Sequence, residues 1–268
     1  MNFTRLVTIT AFVSALVPLC APAQDAGEPY STHVSKKWKI SDRSRPMAVV
    51  VTPGTASTDE QPGRPPSDAI VLFDGKDLSQ WVGRHGEPAP WYVGNGYFST
   101  EPGKGDIHTK QSFGDCQLHV EWATPNPPHG KDQDRGNSGI YLMSLYELQV
   151  LDSYNSTTYT DGQAGAIYAQ FPPLVNVSRP PGQWQTYDVV FHGARYSPDG
   201  KILRPASETV LQNGVLVQDN SVLTGPTNYM SRPPYKPGPD KAPLLLQDHD
   251  HPVRYRNIWI REIKEPAP

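Results

Sequence analysis

The stretch Tyr146-Glu-Leu-Gln-Val-Leu-Asp152 is where residue type and spacing come closest to chemistry. Read as a strand, its period of two sends Leu148 and Val150 to one face and Glu147 and Gln149 to the other. A carboxylate beside an amide on one face can take a proton and hydrogen-bond sugar hydroxyls. Asp152 lies five residues from Glu147 and faces the opposite way unless a bulge intervenes. Glu121 is a second outward acid, beside His119 in Cys116-Gln-Leu-His-Val-Glu-Trp122. Asp248-His-Asp-His251 is the densest titratable run. His249 can exchange protons near neutral pH. His249 and His251, on one side of an extended segment and joined by an acid, also match the donor types of a divalent-metal site. Arg256 can hold an oxyanion or a sugar hydroxyl. Each has a plain reading as well: a solvated polar face, a surface acid, a loop, a salt bridge. Tyr141, Tyr146, Trp184 and Tyr187 can stack on sugar rings, although core packing is the commoner fate of such side chains. No Ser-His-Asp signature, Gly-rich phosphate loop or paired-cysteine zinc spacing is present.

These side chains need strands to hold them, and the sequence supplies strands. Cys116, Leu118, Val120 and Trp122 alternate with Gln117, His119 and Glu121, the pattern of a half-buried strand. Ile70–Phe73, Gly139–Met143, Tyr146–Leu151, Thr186–His192, Leu244–Gln247 and Tyr255–Ile263 read as further strands, and Ala166–Ala169 as a short one. Val210-Leu-Gln-Asn213-Gly214-Val-Leu-Val217 predicts a hairpin, because Asn-Gly suits a type I′ turn. Twenty-nine prolines and 22 glycines in 268 residues favour many turns and short strands over helices. No long 3.6-residue periodicity or internal repeat appears. The prediction is an all-β fold, an antiparallel β-sandwich whose outer sheet face can form a groove.

Residues 1–23 read as a signal peptide: Arg5, an apolar run from Leu6 to Leu19, and Ala21-Pro-Ala23 before Gln24. The run is too short to span a membrane, so a periplasmic or secreted location is expected. Residues 24–66 are Pro/Gly-punctuated and read as a linker or loosely attached tail, with Met47–Val51 the one patch able to pair as a strand. Cleavage would remove Cys20 and leave Cys116 without an intrachain partner. A net charge of −3 gives no basic footprint for nucleic acid.

The motifs together resemble the 3-keto-disaccharide hydrolase domain family. The resemblance rests on Leu72-Phe-Asp-Gly-Lys-Asp-Leu78 with Trp81, Phe113-Gly-Asp115, Asn137-Ser-Gly-Ile-Tyr141, Tyr146 through Ser153, and Gly165-Ala-Ile-Tyr168. It continues in Trp184-Gln-Thr-Tyr187, Asn213-Gly214, Leu246-Gln-Asp-His249 and Tyr255-Arg-Asn-Ile258. It covers residues 67–265 and implies a concanavalin-like jelly roll, an exported setting and action on a 3-keto-glycoside or oligosaccharide. A ketone at C3 acidifies the C2 proton; a base removes it, the C1 oxygen leaves, and water adds to the enone. Such a site needs a base and an oxyanion stabiliser, and Glu147, His249 and Arg256 fit that list as catalytic candidates. Glu121, Asn137, Tyr141, Gln149 and Gln247 are the matching substrate-binding candidates. The mechanism needs no cofactor; a divalent metal at His249 and His251 is the one optional addition. Two features depart from the family pattern: Met143, where arginine is frequent, and the Pro-rich insert from Tyr229 to Pro243. Two alternatives share the fold. A laminarinase-type glycosidase carries Glu-x-Asp-x-(x)-Glu, answered here by Glu147, Gln149 and Asp152. A lectin-like module would bind sugar without catalysis.

Overall fold

The computed structural model describes residues 41, 43, 44 and 46–264. Met47–Lys264 form one compact unit, and the signal-peptide expectation over residues 1–23 lies outside the described residues. The first half runs β1 (Ile70–Phe73), β2 (Trp81–Gly83), β3 (Tyr92–Gly94), β4 (Tyr97–Ser99), β5 (Ile107–Phe113), β6 (Cys116–Ala123), β7 (Ser138–Leu142) and β8 (Tyr146–Val150). After a long irregular stretch come β9 (Gln185–His192), β10 (Arg195–Tyr196), β11 (Ile202–Arg204), β12 (Ser207–Gln212), β13 (Val215–Val222), β14 (Ala242–Leu246) and β15 (Arg254–Glu262). They build an eight-stranded sheet, β13-β12-β9-β6-β15-β4-β3 with β1 also on β15, a five-stranded sheet, β2-β5-β14-β7-β8, and a small β10-β11 ribbon apart from these two. All named pairings are antiparallel. Among the described residues there is no α-helix, and no helix long and apolar enough to cross a membrane.

Alternation decides which side chains meet between the sheets. Leu118, Val120 and Trp122 on β6, Tyr187, Val189 and Phe191 on β9, and Leu148 and Val150 on β8 are all buried in one core cluster. Each fully buried side chain of this size contributes about 1.5–3 kcal/mol. Two core tyrosines also tie the sheets together through their hydroxyls, as buried phenols require. Tyr187 Oη donates to the Gln149 carbonyl at 2.7 Å, and Tyr255 Oη donates to Ser138 Oγ at 2.7 Å. The first lands on β8, which carries Glu147 and Gln149, and the second on its partner β7. The predicted Asn213-Gly214 turn is present, with φ of 52° and 78° joining Gln212 to Val215. Ala166–Ala169 is not a strand: Gly165 and Ala169 both have positive φ, and Ile167 makes only isolated bridges to Leu148 and Phe171.

The second half of the expected tail is not loose. Residues 52–67 close on themselves, with Ser67 N donating to the Thr52 carbonyl, Thr55 N to Arg64 O, and Thr58 N to Gln61 O. This strap lies over the outward side chains of β6 and β15. Arg256 donates to the carbonyls of Asp59 and Thr58 and to Glu121 Oε2, the last at 2.7 Å. Ser57 Oγ and Asn257 Nδ2 donate to Glu121 Oε1. The Arg256 guanidinium also sits 4.3 Å from the Trp184 ring centre. Met47–Val51, by contrast, forms no strand. The strap buries Glu121 completely. Burial works against its charge, yet hydrogen bonds from His119, Ser57, Asn257 and Arg256 prevail and hold its pKa at about 2. His119 moves the other way, to about 9: burial opposes its charge, but hydrogen bonds to Asp188 and Glu121 outweigh it. Removing one partner of such a buried pair strands the other. Glu121→Ala is expected to cost about 3–5 kcal/mol in denaturant unfolding. Replacing Glu121 and Arg256 together by apolar residues should cost less than the single change; a loss under about 1 kcal/mol for Glu121→Ala contradicts this role.

Candidate active site

The outer face of the five-stranded sheet carries the other polar set. β7 and β8 pair so that Tyr141 lies opposite Glu147 and Gly139 opposite Gln149. All four point away from the core, as the period of two requires. Gly139 is glycine for a spatial reason. A Cβ there would sit 2.5 Å from a Glu147 carboxylate oxygen and 2.8 Å from the Tyr141 ring. The bare backbone thus leaves the niche in which the Glu147 carboxyl lies.

The edge of β8 is sealed by loops. The Tyr168 amide donates to the Glu147 carbonyl at 3.1 Å, and the Glu147 amide donates to Thr227 Oγ1 at 3.0 Å. This turns an exposed strand edge into one wall of a cleft. Glu147 is 4% exposed. Burial pushes its pKa up to about 7, with the Tyr141 hydrogen bond pulling down and the charge of Asp106 pushing up. Burial raises the Tyr141 phenol as well. Gln247 closes the far side: its amide donates to the Gly139 carbonyl at 3.0 Å and its Nε2 to Tyr141 Oη at 3.3 Å. Its Oε1 is buried with no hydrogen-bond partner among the described residues.

An amide relay lies beside Glu147. Gln133 Nε2 donates to the Gly162 carbonyl at 3.0 Å, which fixes that amide's orientation. Asn137 is fixed likewise by donating to the Gln133 carbonyl at 2.8 Å. Gln149 Nε2 then donates to Gln133 Oε1 at 3.0 Å and to Asn137 Oδ1 at 3.3 Å. That orientation leaves Gln149 Oε1 facing Glu147 Oε1 at 3.1 Å, a contact that is a hydrogen bond only when Glu147 carries a proton. Turning the Gln149 amide would satisfy an ionised Glu147, but would set its oxygen against Gln133 Oε1. The raised pKa describes a carboxyl that changes protonation state near neutrality.

Glu147, Tyr141, Gln149, Asn137, Gln247 and His249 line one cleft of about 470 Å³. Gln133, Tyr159, Tyr168, Thr227, Asn228 and Tyr229 complete it. Of these, Tyr168 stands in a family-like segment; the others sit in irregular loops, where no periodicity marks them. His249 is on the rim, held by a loop built on carboxylates. Asp248 N donates to Asp106 Oδ1, and Asp248 accepts from Gly105 N and Asp250 N, at 2.9–3.0 Å.

Arg256 and Glu121 do not join this cleft. Their strands belong to the eight-stranded sheet and their side chains face outward, beneath the strap, on the opposite side of the sandwich. Alternation assigns a side chain to a face, but not to a sheet, so Arg256 as a catalytic candidate and Glu121 as a substrate-binding candidate of the same site as Glu147 are corrected. Asp152 is also accounted for structurally: it is buried, accepts from Arg135 Nε at 2.8 Å, and caps Tyr154 N. Among the described residues, Glu147 is therefore the one carboxyl group lining this part of the cleft.

The metal expectation does not fit the donor set. The His249 and His251 rings stack at 6.1 Å, but His251 is buried with Nε2 3.2 Å from Asp134 Oδ1. Among the described residues no three His, Cys, Asp or Glu side chains gather as a ligand group.

Known proteins resemble the chain over the same strands. A crystal structure of a candidate glycosyl hydrolase from Parabacteroides distasonis is 46% identical, covering 81% of this chain and 93% of its own, with a TM-score of 0.78. A second candidate glycosyl hydrolase structure from that organism is 20% identical, covering 74% of this chain and 94% of its own, with a TM-score of 0.53; it shares the fold. No curated protein matches the chain. Residues 68–261, which include every strand of both sheets but the last residue of β15, match a family model described as a 3-keto-alpha-glucoside-1,2-lyase-like domain, and the chain belongs to that family.

Proposed function

We propose that the protein is an exported enzyme that cleaves 3-keto-glycosides by eliminating across C1–C2 and hydrating the product. A carbohydrate-processing enzyme acting on a glycoside follows from the family and from its 46%-identical relative. The observation that supports the finer reading is the buried carboxyl of Glu147, the one carboxyl lining the amide-rich part of the cleft among the described residues, with its pKa raised to about 7. Ordinary glycosidases need two carboxyl groups flanking the scissile bond, whereas an elimination needs one base matched to the working pH.

In this scheme Glu147 takes the C2 proton. The C2–H electrons first form an enolate with the C3 ketone; as the enolate re-forms the ketone, the C1–C2 double bond forms and the C1–O bond breaks. The departing oxygen collects a proton from His249 at the rim. Water then adds its hydroxyl to C1 and its proton to C2, so the net change is hydrolysis. With Arg256 on the other sheet, the donors left to steady the enolate are the cleft phenols, Tyr141 first, and the open amides. Tyr141 sits between Gln247 and Glu147, hydrogen-bonded to both. Donors aimed at a developing oxyanion act most strongly in such a water-poor recess. The amide-rich wall supplies partners for sugar hydroxyls.

Purified protein is expected to release product from a 3-keto-glucoside and not from its unoxidised parent. Glu147→Gln keeps shape but cannot take a proton; it should lower kcat by at least about 10²-fold with little change in affinity. Retained turnover in Glu147→Gln, or equal turnover of the parent sugar, would overturn the proposal.

The pH profile follows from the direction of the shift. Only the ionised form of Glu147 can act as base, and its pKa is raised to about 7. Thus kcat/KM should fall about tenfold per unit below that value and level off above it. A profile that stays flat from about pH 5 to pH 8 contradicts Glu147 as the base.

A further inference from the structure

The cleft does not end at the tyrosines. A second hollow of about 370 Å³ shares Tyr159, Tyr168 and Tyr229 with it, so the two form one continuous groove. The lining changes character across that boundary. The first part presents the side-chain amides of Gln133, Asn137, Gln149, Asn228 and Gln247, beside Glu147. The second has none: beyond the shared phenols it is walled by Met230, Ala169, Ser231 and the charged side chains of Asp161 and Arg232. Tyr159 and Tyr168 hydrogen-bond each other through their hydroxyls at 2.8 Å, which consumes polar capacity and leaves ring surface for the groove. Arg232 spends its Nε on the Ala169 carbonyl at 3.0 Å.

The lip of this hollow is built at a cost. Asn228 and Ser231 bridge across a tight turn that holds Tyr229 and Met230 outward, 74% and 83% exposed. Met230 adopts φ of +59°, a backbone conformation that a non-glycine residue seldom takes. Exposed large apolar groups on a strained turn beside a cleft are the pattern of a ligand clamp. The turn also opens the insert from Tyr229 to Pro243, where the chain departs from the family pattern.

We infer that this second hollow is the subsite for the leaving group, and that it takes an aromatic aglycone of the phenol class. The inference rests on the reading that the amide-rich part holds the sugar. A second pyranose would need partners around its whole ring of hydroxyls; the five side-chain amides of the first part provide them, whereas the second part offers only Asp161, Ser231 and Arg232 beside its phenols. Tyrosine faces and a thioether instead suit a flat apolar ring. The aryl oxygen attached to C1 would then lie at the junction of the two parts.

Equilibrium binding separates this inference from the catalytic one, because unoxidised glycosides bind without turning over. Calorimetric titration of the full chain would compare phenyl α-D-glucopyranoside, methyl α-D-glucopyranoside and maltose. The phenyl glycoside should bind about tenfold more tightly than the methyl one. That ratio should drop below about threefold in Met230→Ser and return in Met230→Leu, which restores an apolar side chain. A phenyl-to-methyl ratio near one, or a ratio unchanged in Met230→Ser, overturns the subsite. Maltose binding most tightly of the three and weakening in Met230→Ser would give the hollow to a second sugar and overturn its aromatic assignment. Failure of all three to bind would overturn the sugar reading of the amide-rich part along with the subsite, whereas catalytic inactivity with the phenyl preference intact would leave the subsite standing.

Discussion

The missing side chain of Gly139 is the constraint on which the site depends. A carboxylate oxygen of Glu147 lies 2.5 Å from where any other residue would put a Cβ. It can stay there only if β7 and β8 keep their register, since a one-residue slip would turn Glu147 into the core. The register is held from below: Tyr255 bonds Ser138 and Tyr187 bonds the Gln149 carbonyl, both from the opposite sheet. It is held from the side by Tyr168 N and Thr227 Oγ1 on the backbone of Glu147. Core packing, strand pairing and the niche are thus one arrangement, and the raised pKa of Glu147 is its electrostatic consequence. A raised carboxyl pKa favours the folded state while the group is protonated, and that contribution fades as pH rises through about 7.

The two outward carboxyls show how partners decide what burial does. Glu121 and Glu147 both alternate away from the core, and both are nearly removed from water. Glu121 is met by Arg256, Asn257, Ser57 and His119, and remains charged down to about pH 2. Glu147 is met chiefly by a phenol and a neutral amide, and titrates near neutrality. The first is a structural anchor for the strap. The second is free to exchange a proton, the property that general base chemistry requires.

Local periodicity made much of this visible before any coordinates. The outward pairing of Glu147 with Gln149, the inward face of Cys116 to Trp122 and the Asn213-Gly214 hairpin are all short-range facts. The position of Arg256 is not one: nothing local says that β15 joins the sheet opposite β8. Nor could the strap be read from its Pro/Gly-rich residues, because Arg256 reaches Thr58 across 198 positions of sequence. Tyr159, Thr227 and Tyr229 occupy irregular loops, whose placement depends on the elements they cover. Tyr168 stands in a family-like segment whose sequence predicts a short strand, whereas Gly165 and Ala169 turn the chain there with positive φ.

The central claim is that the bond at C1 breaks only after a proton leaves C2. Incubation of the protein with a 3-keto-glucoside in deuterated water, with the released sugar read by NMR or mass spectrometry, tests this directly. Elimination and re-addition of water place deuterium at C2 as each molecule turns over, and Glu147→Gln should suppress label and product together. Product released at full rate with no deuterium at C2 would mean direct hydrolysis and would contradict the account.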